Sequence, residues 1–295
     1  MKRYLFTPGP TPVPPEVLAA MAAPVVHHRS PDFRPVYERC LTRLREVCRT
    51  ESDVLLFTSS GTGAFESAVV NLVSPGEPHL VVSAGSFGER WIAMTKAYGA
   101  DVDELRYAWG ETPDPDDVRA RLAERQAEAV WVVQSETSTG VVADVQAIAA
   151  AAKEAGSLVA ALDVALGLLL EEGLDAAFER HVRLGRAARA GAKAMGLELF
   201  SPDEDRSAVV TAVNSPDAAE VISGVRDRFG ITLAGGQGDL KGKIFRIGHI
   251  GWFDVFDITT ALAAIELVLA ELGADIERGV AVTAALEAYE HSSVA

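Results

Sequence analysis

Between residues 54 and 155 the sequence alternates short apolar runs with amphipathic segments, and this rhythm constrains the fold more than any other feature. The apolar runs predict strands at residues 54–57, 80–83, 103–107 and 129–133. The amphipathic segments predict helices at residues 64–73, 89–98, 115–126 and 144–155. Alternation of this kind predicts an α/β fold, in which helices cover both faces of a mostly parallel sheet through right-handed crossovers.

Three polar, glycine-containing turns follow predicted strands, at residues 59–63, 83–88 and 134–140. Because ligands bind beyond the carboxyl ends of parallel strands, we expect these turns to converge on a site. The first turn leads into a helix whose free N–H groups and small neighbours suit an anion. It predicts a phosphate cradle, although the same pattern is also that of an ordinary strand-to-helix turn. It matches neither the lysine-bearing P-loop nor the three-glycine dinucleotide fingerprint.

The remaining parts of the chain predict an arm and a second domain. Residues 7–15 are rich in proline, which favours an extended arm. Residues 16–22 and 32–49 predict helices. After residue 157 the pattern becomes α+β, with strands at 208–213 and 243–248, a helix at 216–229 and a terminal helix at 257–272. We therefore expect an N-terminal arm and a larger domain over residues 1–156, and an interdomain helix with a smaller domain over residues 157–295.

The amino-acid composition limits the classes of molecule that we expect this protein to bind. A net charge of −15 argues against nucleic acid or an anionic membrane surface but does not exclude one small phosphate in a local site. The two cysteines, Cys40 and Cys48, suggest a reducing compartment, and they lack partners for a metal site. Neither a signal-peptide core nor a membrane-length apolar run is found in the sequence. We expect a cytoplasmic protein.

Six short segments, in order along the chain, resemble one family. They are residues 7–11 (TPGPT), 60–62 (SGT), 83–90 (SAGSFGER), 136–140 (ETSTG), 235–238 (GGQG) and 245–248 (FRIG). The chain is similar to class V, fold-type I aminotransferases that use pyridoxal phosphate, and within them to the alanine–glyoxylate and serine–glyoxylate branch.

The resemblance implies a homodimer that acts on small amino acids and 2-oxo acids, and it implies residue roles. Ser60, Gly61 and Thr62 would hold the cofactor phosphate. Phe87 would stack on the pyridine ring, and Thr137 would hydrogen-bond near the ring hydroxyl. Arg246 would pair with the substrate carboxylate, with Gly9 also at the substrate. Two plainer interpretations stay open, since Phe87 alone is typical of a core residue and Arg246 alone of a surface ion pair.

Two family features are missing from this sequence. The family follows the helix at 144–155 with a strand that ends in the aspartate for the pyridine nitrogen. A later strand ends in Ser-Gln-Lys, whose lysine forms the Schiff base. By the resemblance, the residues after 157 would open the long helix that follows the large domain, with Asp163 on its polar face. Residues 157–160 could belong to either side of the junction, and the boundary falls somewhere near residues 157–175. We infer an internal deletion at about residues 156–160, of roughly 80–100 residues, the size of a small domain. It would remove central strands of the sheet.

Without the family lysine, the catalytic prediction weakens. A pyridoxal enzyme needs a lysine to hold the aldehyde and move a proton. Lys241 and Lys243, near Arg246, are the substitutes that the sequence offers. We predict an aminotransferase of the glyoxylate type with impaired turnover. A non-catalytic protein that binds a phosphate ligand or pairs with an intact relative is the alternative, and a mostly unfolded product is a third.

Overall fold

A computed structural model describes residues 3–162, 174–201 and 207–291, with the backbone alone at 161 and 162. The strands are β1 (Tyr4–Phe6), β2 (Pro78–Ser83), β3 (Asp101–Arg106), β4 (Ala129–Val133), β5 (Ser135–Glu136), β6 (Val141–Val142), β7 (Leu158–Leu162), β8 (Val210–Asn214), β9 (Ile231–Gly235) and β10 (Ile244–Gly248). The helices are α1 (Pro15–Met21), α2 (Phe33–Val47), α3 (Gly61–Leu72), α4 (Ser86–Ala97), α5 (Pro115–Glu124), α6 (Val145–Glu154), α7 (Leu174–Ala194), α8 (Ala218–Phe229), α9 (Val255–Glu271) and α10 (Val280–Glu290).

The first sheet has the order β3-β2-β4-β7, and its neighbouring strands are all parallel. Its two central strands are rich in apolar residues and buried along nearly their whole length, as expected for a sheet that is covered on both faces. Leu80 and Val82 of β2 point into a core with α5 and α6. Val81, between them, points into the opposite core, with α3 and α4. The predicted helix-on-both-faces arrangement is confirmed.

The prediction of a strand at residues 54–57 is wrong. This segment is coil, and Leu55 and Phe57 are 73% and 54% exposed. Four consecutive apolar residues have the composition of a buried strand, but a strand also needs a neighbour for its N–H and C=O groups. None of the described strands pairs with this run.

The prediction that a helix begins near residue 157 is also wrong. Residues 158–162 form β7, which pairs in parallel with β4 in the register Trp131↔Ala160. Ser157 fixes the turn before it, since its hydroxyl donates to the Ala127 carbonyl at 2.5 Å. The strand that the family places after α6 is therefore present, and residues 158–162 belong to the first sheet, while the deletion itself stays a prediction. Asp163 lies outside the described residues.

A second sheet belongs to the other half of the chain. Its order is β1-β9-β10-β8, with β1 parallel to β9 and β10 antiparallel to both of its neighbours. Its core, around Phe6, Phe245, Ile247 and Leu262, is closed by helices from α7 to α10. The α+β pattern predicted here is present. The sequence prediction missed β1, β9 and α10, so the last helix is α10 and not the helix near residue 272.

Within the described ranges, none of the helices combines the length and the apolar character needed to span a bilayer.

A neutral histidine follows β10 directly, at the edge of the second sheet. His249 is fully buried; its Nδ1 lies 3.2 Å from the Ala208 carbonyl and its Nε2 lies 3.0 Å from the Thr211 hydroxyl. A carbonyl only accepts, so Nδ1 carries the proton and Nε2 accepts from Thr211. Burial, with help from the nearby Arg189 and His181, lowers the pKa of His249 to about 3. The folded state therefore holds this ring uncharged at neutral pH.

This burial predicts a pH-dependent stability. An unfolded histidine takes up a proton below pH ~6.5, whereas the folded His249 does so only near pH 3. Its contribution is thus complete above pH ~6.5 and is lost as the pH falls toward 3. We expect wild type to lose about 1 kcal/mol more than His249→Gln between pH 7 and pH 5.5, measured by urea unfolding at both values. Equal losses in the two proteins would contradict the assignment.

Candidate functional site

The first turn of α3 is open. Its N-cap residue, Ser60, makes no side-chain cap hydrogen bond, and a Cβ added at Gly61 would meet nothing within 4 Å. By contrast, Asp114, Asp144 and Asp254 accept hydrogen bonds from the first amides of α5, α6 and α9. A helix start with uncapped amides and free space above them is an anion site by geometry.

Arg90 connects this helix start to Phe87. Its Nη1 donates to the Thr62 hydroxyl at 3.1 Å, and its guanidinium carbon lies 4.9 Å from the centre of the Phe87 ring. Phe87 itself is half-buried in the first turn of α4, where it packs against the edge of the core that contains Trp91. A cation thus lies between the predicted phosphate cradle and the predicted ring platform.

A buried carboxylate holds the turn that carries Phe87. Glu136 is 2% exposed, and its Oε2 accepts from the backbone N–H groups of Phe87 at 3.0 Å and Gly88 at 3.1 Å. Its Oε1 accepts from Ser138, through the backbone at 3.3 Å and the hydroxyl at 2.5 Å. Ser138 Oγ in turn accepts from the Ser86 amide at 3.0 Å. Burial raises the pKa of Glu136, and these hydrogen bonds act in the opposite direction.

Arg246 is a buried cation that joins β10 to the turn between β5 and β6. Its Nε and Nη2 donate to the Gly235 carbonyl at 3.0 and 2.8 Å, and its Nη1 donates to the Thr137 carbonyl at 2.6 Å. Only 5% of the residue is exposed, so the surface ion-pair interpretation is wrong. Burial lowers its pKa, and the charge of Glu136 opposes that effect. No carboxylate of the described residues lies within ion-pair distance of this guanidinium.

The N-terminal arm lies against the end of β10. A Cβ added at Gly248 would lie 2.6 Å from the Thr7 carbonyl oxygen, so only glycine lets the arm pass here. Thr7 Oγ1 then donates to the Pro10 carbonyl at 2.6 Å across a tight turn that contains Gly9. The arm therefore brings Gly9 to the end of the strand that carries Arg246.

The two candidate lysines do not share this environment. Lys241 and Lys243 are exposed, as are the other three lysines in the described part of the chain, Lys96, Lys153 and Lys193. Lys96 is paired with Glu104 on the edge of the first sheet. Lys243 immediately precedes β10 and, by strand alternation, lies on the side of Phe245, opposite to Arg246. Nothing in the geometry supports either lysine as a Schiff-base residue.

The turns after β2 and β4 meet, as predicted, and the turn before α3 joins them through Arg90. The predicted residues Thr62, Phe87, Thr137 and Arg246 thus form one continuous set of contacts, but two residues without a predicted role complete it. They are Arg90 and Glu136. Both lie inside segments that the sequence analysis singled out, at residues 83–90 and 136–140. A charged residue that is set inside a glycine-containing turn was the signal that could have found them.

Comparison with known proteins now decides the family. A family model described as aminotransferase class-V matches residues 3–176, more than half of the chain. The chain belongs to the class-V aminotransferase family.

Individual relatives agree over nearly the whole length of this class-V aminotransferase chain. It is 32% identical, over 380 aligned positions, to the soluble hydrogenase 42 kDa subunit of Anabaena cylindrica, covering 98% of this chain and 99% of that one. It is 28% identical to the L-aspartate–glyoxylate aminotransferase of Paracoccus denitrificans, covering 99% and 97%. Among solved structures, the ureidoglycine–glyoxylate aminotransferase of Bacillus subtilis superposes with a TM-score of 0.91 at 27% identity, covering 99% of each chain. The α/β architecture is thus that of the fold-type I aminotransferases.

Two glycines at the starts of α3 and α4 predict opposite effects of alanine. A Cβ at Gly88 would lie 2.6 Å from the Ser83 backbone, whereas one at Gly61 would meet nothing. Gly88→Ala should cost about 1–3 kcal/mol through overpacking. Gly61→Ala should be neutral or add up to about 1 kcal/mol, because alanine favours helix. Urea unfolding of both variants measures this. A destabilised Gly61→Ala beside an unaffected Gly88→Ala would contradict the described turns.

Proposed function

We propose that this class-V chain binds pyridoxal phosphate and small carboxylate substrates in the manner of a glyoxylate aminotransferase, with impaired amino transfer. The observation that carries the proposal is the uncapped start of α3 next to Arg90 and Phe87. The relatives named for glyoxylate reactions support the substrate class.

The phosphate end of the cofactor fits the residues that are present. The backbone amides at Gly61 and Thr62 have no partner among the described residues, and the Ser60 and Thr62 hydroxyls lie beside them. Arg90 adds a positive charge at Thr62, where a dianion would need it. The Phe87 ring would form the wall for the pyridine ring, and the Thr137 hydroxyl has no partner in the described part of the chain and would be free to meet the ring hydroxyl.

The carboxylate end fits Arg246. Its planar guanidinium is buried, faces no carboxylate in the described ranges and is held only by two carbonyls. A substrate carboxylate could replace the Thr137 carbonyl as its partner and form charge-assisted hydrogen bonds that a carbonyl cannot match. Gly9, without a side chain, would leave room for the substrate at the same strand end. We propose Arg246 and Gly9 as substrate-binding residues.

None of the described lysines is placed to supply the amine that the reaction needs. The chemistry that pyridoxal phosphate supplies, when bound, is an aldehyde that accepts the substrate amino group and a ring that withdraws electrons. This chain's residues would bind and orient the two partners, but all five described lysines are exposed, and none is placed to hold the aldehyde or to move the α-proton. We therefore propose binding without efficient turnover. An exclusively non-catalytic binding protein is the alternative that the same observation favours.

An internal deletion explains the missing lysine. The alignment with the Anabaena cylindrica relative covers 380 positions, so at least 85 of them have no counterpart in these 295 residues. Because β7 continues the sheet to Leu162 and α7 begins at Leu174, we propose that the junction, and with it the domain boundary, falls within residues 163–173. The absent segment would have supplied strands beside β7, which is an edge strand among those described.

We also propose a homodimer. Neither α1 nor α2 contains a buried residue, although both carry large apolar side chains. Met21 is 76% exposed, Val25 is fully exposed, and Leu55 and Phe57 add to the same N-terminal portion. An apolar set of this extent is typical of a surface that a partner covers. A second copy of the chain is the partner that the family resemblance implies.

A titration with pyridoxal phosphate tests the cradle. We expect saturable binding, followed by absorbance and intrinsic fluorescence, and at least a tenfold loss of affinity in a Ser60→Ala, Thr62→Ala double variant, since two hydroxyl contacts to a charged group are worth about 1.5–3 kcal/mol each. Ser67→Ala, on the same helix, should bind as wild type. Borohydride reduction followed by peptide mapping should find no adduct on Lys241 or Lys243; an adduct there would show that turnover had been underestimated.

A conservative change at Arg246 tests the substrate site. Arg246→Lys should weaken glyoxylate binding to the pyridoxal phosphate-loaded protein at least tenfold, because lysine cannot offer a planar pair of donors. The matched control is Arg183→Lys, since Arg183 also donates through Nε and Nη2 to one carbonyl, that of Tyr289, at 3.1 and 3.0 Å. Calorimetry measures both. Equal affinities in Arg246→Lys and wild type would remove Arg246 from the site.

A further inference from the structure

Glu136 stands between the residues proposed for the cofactor ring and the residue proposed for the substrate. Phe87 and Gly88, on one side, donate their amides to its carboxylate. Thr137, the next residue in the chain, offers its carbonyl to Arg246 on the other side. A single side chain therefore fixes the distance between the ring platform and the Thr137–Arg246 contact.

The contacts of Glu136 leave little freedom. Four donors, three from backbone amides and one from the Ser138 hydroxyl, meet its two oxygens at 2.5–3.3 Å. Gly85 packs against it so closely that an added Cβ would lie 2.5 Å from the Glu136 Cγ. A buried carboxylate with this many donors is rigid, because moving it would leave several polar groups without partners.

The same contacts also decide which helix start is open to an anion. The first amides of α4, at Ser86, Phe87 and Gly88, are all occupied by Ser138 and Glu136. The first amides of α3 are not occupied in this way. Glu136 and Ser138 therefore close the start of α4 to an anion, whereas the start of α3 stays open for the phosphate of the proposed site.

We propose that Glu136 is a positioning residue that sets the Phe87 platform against Thr137 and Arg246. It contacts neither substrate nor cofactor and acts through the backbone of the turn at residues 86–88. The inference rests on the proposed cofactor site and adds to it a residue on which ring binding depends, but phosphate binding does not.

Glu136→Gln tests the role while keeping the size of the side chain. Glutamine has one acceptor oxygen and one NH2 donor, so it cannot accept from the Phe87 and Gly88 amides and from the Ser138 amide at the same time, and one side of this link between the two turns is lost. The probes are 4′-deoxypyridoxine 5′-phosphate, which has the ring and the phosphate but no aldehyde, and inorganic phosphate. We expect Glu136→Gln to bind the first at least tenfold more weakly than wild type and to bind inorganic phosphate within twofold of wild type.

A matched control separates positioning from general destabilisation. Glu266 is 5% exposed, and its two oxygens accept from the amides of Gly279 at 2.6 Å and Ala281 at 3.1 Å, at the start of α10. Glu266→Gln therefore makes the same change at the same kind of contact, away from the site, and should keep wild-type affinity for both probes. Should Glu136→Gln fail to fold, Ser138→Ala, which removes only the Ser86 and Glu136 contacts of one hydroxyl, should show a two- to fivefold loss for the ring-bearing probe alone.

The outcomes are distinct. Wild-type affinity of Glu136→Gln for 4′-deoxypyridoxine 5′-phosphate, with wild type binding it well, would overturn the positioning role and leave the proposed function standing. Parallel losses for both probes would show a structural role only. Failure of wild type to bind the ring-bearing probe at all would overturn the proposed function and this inference with it.

Discussion

The site depends on one interaction: a buried carboxylate, that of Glu136, accepts hydrogen bonds from backbone N–H groups. The parallel pairing of β2 and β4 places the turns that follow them side by side, with the amides of α4 facing the hairpin of β5 and β6. Left alone, those buried amides would be costly. The Glu136 carboxylate satisfies them, and in doing so it fixes every residue that the two turns carry.

Much of the fold could be predicted from the local sequence pattern, and the two wrong predictions at residues 54–57 and 158–162 have a common cause. The alternation of apolar and polar residues correctly located β2, β4 and most helices. Residues 54–57 and 158–162 are both short and apolar, yet the first is coil and the second is β7. The difference lies in whether a neighbouring strand offers its edge, and a strand partner is a non-local property. The missed α10 has another cause, since its buried side chains are the small Ala281 and Ala285, which give weak periodic contrast.

The site could also be predicted only in part, because some of its features are local in sequence and others are not. Polar, glycine-containing turns and the family resemblance indicated Thr62, Phe87, Thr137 and Arg246 from the sequence alone, and their roles stay predictions. The residues that join them were not, because Arg90 reaches Thr62 across 28 residues and Glu136 reaches Phe87 across 49. The burial of Arg246 was equally hidden, since a strand arginine in sequence does not show which face of its strand is covered.

Arg246 has one further consequence. The guanidinium that we propose for the substrate carboxylate also ties the Thr137 carbonyl, in the turn between β5 and β6, to β10 of the second sheet. An anion that binds this cation must compete with that tie, so occupancy and the spacing between the two halves of the molecule are thermodynamically linked. A ligand that loosens the tie would be bound more tightly under any condition that separates the halves, and by linkage the ligand would favour that separation by the same factor.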